Sequence, residues 1–465
     1  MEITTTKTPK INNGVAALLI SVAILVLGNN LQGTLLGIRA GVEGISKFNI
    51  GLMMSSYYVG FILGSVTLAK LLVLVGHIRT YAALASFASA LTLSYILLIS
   101  PSFWIVLRFL QGFSYAGMIL VIESWLNGCA EKKNRGSLLA KYGLVFWGCS
   151  AISQTFLNLA APESFILFCF ISIMVSLALV PVTVAPSRAP LALSSNRYKL
   201  RKLLKVSPVG MFAVFVSGLC MGSVWGMAPV FGQRIELSTS GISFFMFSLM
   251  AGTLISQWPL GKISDKTDRR LVIVITSFIA GSVSIFLSVQ NNPSVPLLLT
   301  LALIYGALAF PLYSIAVAHV NDCIHQEENI GVAGTLILLQ GIGSAIGPMA
   351  SGALMEITGP GGMFMFVGSS LVALAVFGIL VIPQRKAISH KLKQNFMAVP
   401  RTSYVFLYQQ TRRKGEKRLK KWNAKQHQAD NCIDLNLSGC KYLAVNICIQ
   451  KLAKKGKICY FTLFE

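Results

Sequence analysis

Runs of about twenty apolar residues recur down this chain, separated by short polar breaks, and no other feature limits its fold so severely. A hydrocarbon layer about 30 Å thick takes roughly 20 residues of α-helix, and twelve runs of that order fit between Gly14 and Ile382: 14–38, 48–75, 80–100, 102–128, 136–160, 164–185, 208–232, 241–261, 271–290, 296–320, 330–356 and 362–382. Within lipid every backbone amide must find an internal partner, so these runs predict helices and exclude open sheet. The composition agrees: only 12% of the 465 residues are charged and 54% are hydrophobic, against about 25% charged in soluble domains. The expected fold class is an all-α integral membrane protein with twelve transmembrane helices. The first run is too long for a signal-peptide core and is read as a span.

Net charge is +24, from 40 Lys/Arg against 16 Asp/Glu. A balance this basic raises nucleic acid as a partner, but its distribution argues otherwise. Residues 384–465 hold 18 Lys/Arg and 4 Asp/Glu, a net +14, which leaves +10 on the segment with the apolar runs. No nucleic-acid partner is expected; the expected partners are a lipid bilayer and a small-molecule substrate, with the protein a monomer. Positive residues in short loops stay cytoplasmic. Lys70 with Arg79, Lys132 with Lys133 and Arg135, and Lys262 with Lys266, Arg269 and Arg270 fall on one side, whereas Arg39, Lys47 and Arg234 fall on the other. Both termini are thus expected in the cytoplasm of a multi-pass cell-membrane protein. The acidic loop with Asp322, Glu327 and Glu328 dissents, but acidic residues weigh little in this rule.

The longest internal loop divides the spans six and six. The expected organisation is an N-terminal six-helix bundle over 1–185, a cytoplasmic linker over 186–207, a C-terminal six-helix bundle over 208–383 and a basic cytoplasmic tail over 384–465. The linker carries Pro186, Pro190 and Ser194-Ser195-Asn196, as a flexible hinge would. An offset of 195 residues carries Asn134-Arg135-Gly136 onto Asn329-Ile330-Gly331 and Gly148 onto Gly343, consistent with duplicated halves.

Four segments carry chemistry. After the eighth run comes Gly261-Lys262-Ile263-Ser264-Asp265-Lys266-Thr267-Asp268-Arg269-Arg270. Here Gly permits close helix approach, Asp can face a helix N-terminus and the cations anchor at headgroups. The fourth run holds Arg108-Phe109-Leu110-Gln111-Gly112. An Arg about six residues into an apolar helix is costly unless it meets a partner or a wet cavity, the alternative being that it snorkels to the outer interface. Gly343-Ser344-Ala345-Ile346-Gly347-Pro348 combines a bend with tight packing. Finally, Glu123 lies about 22 Å along its helix from Arg108 at 1.5 Å per residue, so the two cannot pair. Its expected role is a charge network with Arg79, Lys141 or Arg135 that locks an inner gate; protonation during transport is the alternative.

These segments resemble the major facilitator superfamily, whose signature after spans two and eight reads Gly-x-x-x-Asp-Arg/Lys-x-Gly-Arg-Arg/Lys. The second copy departs at Asp268, where the family prefers Gly; the first keeps Gly76-His77-Ile78-Arg79 but has Val73 in place of the Asp. Arg108-x-x-Gln111-Gly112 is similar to the family's fourth-span motif. Val121 to Asn127, Asn134 to Ala140 and Ser55-Ser56-Tyr57-Tyr58 are similar to its YcaD-like branch. The antiporter form of the Gly-Pro motif would lie in span five, where Gly143 to Gly148 has no Pro, so drug antiport is not supported.

The resemblance implies a secondary transporter working by alternating access, with the proton gradient as the candidate energy source. It implies that spans one, four, seven and ten line a central cavity, so Asn29, Asn30, Gln32, Arg108, Trp225, Tyr305 and Tyr313 are the substrate candidates. Gly261, Asp265, Lys266, Arg269 and Arg270 join Arg79, Glu123 and Lys141 as gating candidates, and Gly343, Gly347 and Pro348 are packing candidates. It also implies a bacterial inner membrane. The rival class is a non-transporting membrane sensor or assembly protein with the same fold.

No enzyme is expected, since the sequence has five His without His-Glu-x-x-His, no phosphate-cradling loop and no nucleophile elbow. Cysteine spacing matches no metal site, and no cofactor is expected. The tail is read either as a basic segment held against anionic lipid or nucleic acid, or as an extension outside the family fold, and the second reading is preferred. Deleting the residues after 404 is therefore expected to leave folding and transport intact, checked by detergent monodispersity and liposome flux; loss of either refutes it.

Overall fold

The computed structural model describes residues 11–129, 135–184, 200–290, 293–324 and 329–384. All of these lie in one compact unit. The tail and residues 185–199 of the linker lie outside the described residues.

Every regular element among the described residues is helical. In chain order they are α1 (Ile11–Val42), α2 (Lys47–Val75), α3 (His77–Leu97), α4 (Pro101–Cys129), α5 (Arg135–Thr155), α6 (Ile166–Leu177), α7 (Leu179–Val184), α8 (Leu200–Val206), α9 (Pro208–Arg234), α10 (Thr239–Lys266), α11 (Arg269–Ser288), α12 (Val295–Ala309), α13 (Leu312–Asp322), α14 (Asn329–Thr358) and α15 (Gly362–Val381). Eleven of the resulting segments are long and apolar enough to cross a membrane, counting α6 with α7 and α12 with α13 as one each. The fifth expected span forms α5 but falls below that threshold of apolarity. Its polar face is used inside the protein: Ser150, Ser153 and Gln154 are all buried.

Local sequence explains the boundaries. Ser46 and Ser238 accept the amides of Asn49 and Gly241 at the starts of α2 and α10, satisfying donors that a helix N-terminus leaves open. Between α2 and α3 the chain turns on the single residue Gly76 at φ +90°, a conformation side-chain-bearing residues rarely adopt. Pro311, whose missing N–H breaks the helix ladder, separates α12 from α13. Within the linker, Leu200–Val206 forms α8 with Leu203 fully buried.

The two halves repeat one packing plan. In the first, α2 lies on α4, α1 on α5 and α6, and α3 on α6; in the second, α10 lies on α12, α9 on α14 and α15, and α11 on α15. Contacts between halves are also reciprocal, α2 with α14 and α10 with α5. Glycines set the tightest approaches. A Cβ at Gly60 would strike the Phe109 carbonyl oxygen and one at Gly112 that of Tyr57; equivalently, one at Gly252 would strike Leu303 and one at Gly306 Leu249. Gly60 and Gly252 are 252 − 60 = 192 residues apart, and Gly112 and Gly306 are 306 − 112 = 194 apart. The backbone contact is thus duplicated where the side chains are not.

Hydrogen bonds join the halves at the end that carries the turns at 43–46 and 359–361, the expected outer end. There the Lys47 amide donates to Glu356 Oε2 (3.0 Å), Lys47 Nζ donates to the Met355 carbonyl (3.0 Å), and Asn158 Nδ2 donates to Ser243 Oγ (3.1 Å). Slightly deeper, the Met349 amide donates to Ser55 Oγ (3.1 Å).

Because backbone cannot yield as a flexible side chain can, Gly112→Val is expected to destabilise the protein by about 1–3 kcal/mol or more. Gly148→Ala, where no atom stands within 4 Å of the new Cβ, is expected to be neutral or mildly stabilising. Thermal unfolding of the two variants in detergent checks the pair.

Candidate functional site

A cavity lies between the halves, with about 900 Å³ of space free of protein atoms when the solvent at its mouth is included. From the first half, Asn29 and Gly33 of α1, Met54, Tyr57, Tyr58 and Phe61 of α2, Arg108 and Tyr115 of α4 and Phe146 of α5 line it. From the second, Met221 and Trp225 of α9 and Ile337, Gln340 and Gly341 of α14 complete it.

Arg108 dominates the electrostatics. It is 5% exposed, its guanidinium carbon sits 4.6 Å from the centre of the Tyr57 ring, and one terminal nitrogen lies 3.8 Å from Met54 Sδ. Gly33 makes room, since a Cβ there would meet the same terminal nitrogen at 3.4 Å. The other two guanidinium nitrogens, Nε and Nη1, have no hydrogen-bond partner. No carboxylate is among the residues lining the cavity. The guanidinium is thus buried in the protein interior rather than snorkelling to the surface.

Three residues further along α4, the same motif does different work. Gln111 donates to Gln32 Oε1 and to Thr92 Oγ1 (3.2 Å), and its own oxygen accepts from the Tyr95 hydroxyl (3.1 Å). Arg108 therefore projects to the cavity from a helix that Gln111 ties to α1 and α3. Asn29 accepts from the Tyr57 hydroxyl (3.3 Å), holding the ring beneath the guanidinium, and Asn30 donates to Ser150 of α5 (2.7 Å).

Of the seven substrate candidates, Asn29, Asn30, Arg108 and Trp225 line the cavity. The other three do not. Gln32 is consumed by the amide cluster. Tyr305 packs edge-on against Phe310 and Phe364, and Tyr313 is buried in α13. Sequence reasoning did not place Met54, Tyr57, Tyr58, Tyr115 or Gln340 in the lining. Those on α2 and α14 fall outside the expected lining of spans one, four, seven and ten, and Tyr115 lies on span four, seven residues beyond Arg108.

The gating candidates gather at the opposite, signature-bearing end. Arg269, 1% exposed, pairs with Asp265 (2.8 Å) and, through Nε, with Asp322 (2.7 Å), and also donates to Ser264 Oγ (2.9 Å). Asp322, dismissed in sequence as part of a dissenting acidic loop, is instead the buried end of this network and ties α11 to α13. Asp268, the departure from the family pattern, caps α11 by accepting the Arg270 amide (3.0 Å) and pairs with the Arg270 guanidinium (2.7 Å). Partial burial pushes the Asp268 carboxyl upward, but hydrogen bonds and charge from Arg270 outweigh this and hold it below the usual carboxylate range. Gly261 is buried and Lys266 exposed.

In the first half the equivalent end lacks an acid at the loop, and His77 Nε2 meets Ser124 Oγ instead (2.7 Å). Glu123, 1% exposed, accepts from the Tyr142 hydroxyl (2.8 Å). Of its three expected partners, the Arg79 and Lys141 side chains are exposed, and the Arg135 side chain lies outside the described residues. Gly343 and Gly347 press α14 against α9 at the Phe215 and Leu219 carbonyls, and the Pro348 carbonyl faces Gly51 of α2.

The sequence profile of the Major Facilitator Superfamily matches residues 18–289 and 210–424. The chain belongs to the major facilitator superfamily. The second match runs past residue 384, into the basic segment. Among relatives, an uncharacterized MFS-type transporter, YcaD of Escherichia fergusonii, is 26% identical over 361 residues, covering 76% of this chain and 92% of the relative. An MFS-type transporter of Enterobacter sp. (strain 638) is 26% identical over 378 residues, covering 81% and 96%. In solved structures the fold is similar to the nucleoside transporter NupG, with TM-score 0.63, 14% identity and 80% and 100% of the two chains covered. It is also similar to a bacterial homologue of the lysosomal transporter Spinster in an inward-facing, occupied conformation, with TM-score 0.63, 14% identity and 82% and 97% covered. This superfamily member is accordingly a multi-pass membrane transporter and not an enzyme.

Removing Arg269 would leave Asp322 charged and buried. Arg269→Gln is expected to cost about 3–5 kcal/mol, read as a lowered unfolding temperature in detergent, whereas Lys266→Gln at the exposed neighbour is expected to change it little.

Proposed function

We propose that the protein is a secondary transporter that carries a small solute by alternating access through the cavity at Arg108. The observation that carries this reading is a buried guanidinium without a carboxylate partner, facing a cavity between two halves that hydrogen bonds join at the expected outer end. In a low-dielectric setting an unpaired charge is costly and marks a functional site. The Lys47–Glu356 and Asn158–Ser243 contacts would close the outer side, and breaking them while the Asp265–Arg269–Asp322 end tightens would expose the cavity outward. In this reading α5, placed between α1 and α10, is the twelfth crossing. Both termini lie in the cytoplasm, the two six-helix bundles move as bodies about residues 186–207, and the transporter acts as a monomer.

An ion gradient supplies the energy, with the proton as the candidate ion. Glu123 is a buried acid in the first half, and its Tyr142 contact crosses from α4 to α5, so a change in its charge would loosen one helix pair.

Purified protein in liposomes with an imposed pH gradient is expected to move protons when its substrate is added, and Arg108→Ala is expected to abolish that movement while the variant stays monodisperse. Absence of flux across a broad solute panel from well-folded protein would favour the non-transporting sensor instead.

A further inference from the structure

Resting on the cavity assigned above, we infer that its ligand is a monovalent organic carboxylate with a flat or aromatic body. The buried groups left without partners around the cavity are hydrogen-bond donors: Nε and Nη1 of Arg108 and Nε1 of Trp225. Asn29 Oδ1 already takes the Tyr57 hydroxyl, the other amide oxygens in the lining, of Asn30 and Gln340, are neutral, and no Asp or Glu lines the space. A surplus of desolvated donors is satisfied by a ligand rich in acceptors. A neutral solute would leave the guanidinium charge buried and uncompensated, and a cation would add to it.

The charge of the ligand follows from counting. Arg108 is the single cationic residue among those lining the cavity, so one negative charge neutralises the site and a dianion such as a phosphate monoester would leave an excess. Geometry narrows the group further. A guanidinium offers parallel N–H donors that match the two oxygens of a carboxylate, and Nη2, whose contact is the long one to Met54 Sδ (3.8 Å), forms such a fork with either of the unfilled nitrogens, Nε or Nη1. One face of the guanidinium is already covered by Tyr57, which fixes the plane in which the carboxylate must approach. The body of the ligand then meets the apolar and aromatic lining contributed by Phe61, Phe146 and Trp225.

The test is a binding measurement on the full chain in detergent, using a panel of small aryl and alkyl monocarboxylates, benzoate among them, each paired with its neutral amide. Thermal stabilisation by at least one carboxylate and not by its amide is expected. Losing a charge-assisted pair should weaken that binding about ten- to a hundredfold in Arg108→Gln. Arg108→Lys keeps the charge without the planar fork and should retain the preference for acid over amide at reduced affinity, which separates loss of recognition from loss of folding. Stabilisation by amides or cations alone, equal carboxylate binding in Arg108→Gln, or no response to any carboxylate each overturns the inference. Carboxylate binding without liposome flux would instead refute transport and leave the site standing, and flux of a neutral solute would do the reverse.

Discussion

The structure depends on backbone meeting backbone. In lipid the apolar side chains of one helix gain nothing by leaving the lipid for another helix, so association rests on close packing and on polar contacts. Gly60 with Gly112, and Gly252 with Gly306, bring α2 onto α4 and α10 onto α12 until only a hydrogen fits between the chains. These two reciprocal contacts make each half stiff. Stiff halves allow polar groups to be held at their boundary without the halves collapsing into one another.

That boundary is where the charges lie, and they are treated in opposite ways. At the signature end Arg269 is buried and has two carboxylates and a hydroxyl. At the cavity Arg108 is nearly as buried and has an aromatic ring and a thioether. Full compensation suits a joint that must hold, since a buried pair resists losing either member. Partial compensation suits a group whose missing partner arrives from outside. The first-half copy of the signature has no acid in its loop and there His77 meets Ser124, whereas the second copy carries the ion pairs of Arg269.

Much of the fold was legible in the chain because the membrane leaves few alternatives. Length and apolarity alone located the helices, and the positions of Gly76 and Pro311 explain where they turn or break. The fifth helix shows the limit of that reasoning. Its Ser150, Ser153 and Gln154 dilute the apolar pattern because they face neighbouring helices rather than lipid, and periodicity does not say which neighbour a polar residue will meet. Likewise the duplication was read from an offset of 195, whereas the contacts that repeat in space sit at 192 and 194, since insertions in the loops shift the register of each helix separately.

By itself, then, the sequence determined that the chain is helical, membrane-embedded and duplicated, and it singled out Arg108 as a charge too costly to be incidental and Asp265 through Arg270 as a signature loop. Which partners those charges have was decided only by the tertiary structure. Asp322 lies 53 residues from Arg269 and reaches it because α11 packs on α13. Gln32 and Tyr305 look like cavity residues in sequence but are spent on internal packing. The physical reason is the same in each case: the cost of a buried polar group is local and can be read from one helix, while its compensation comes from another.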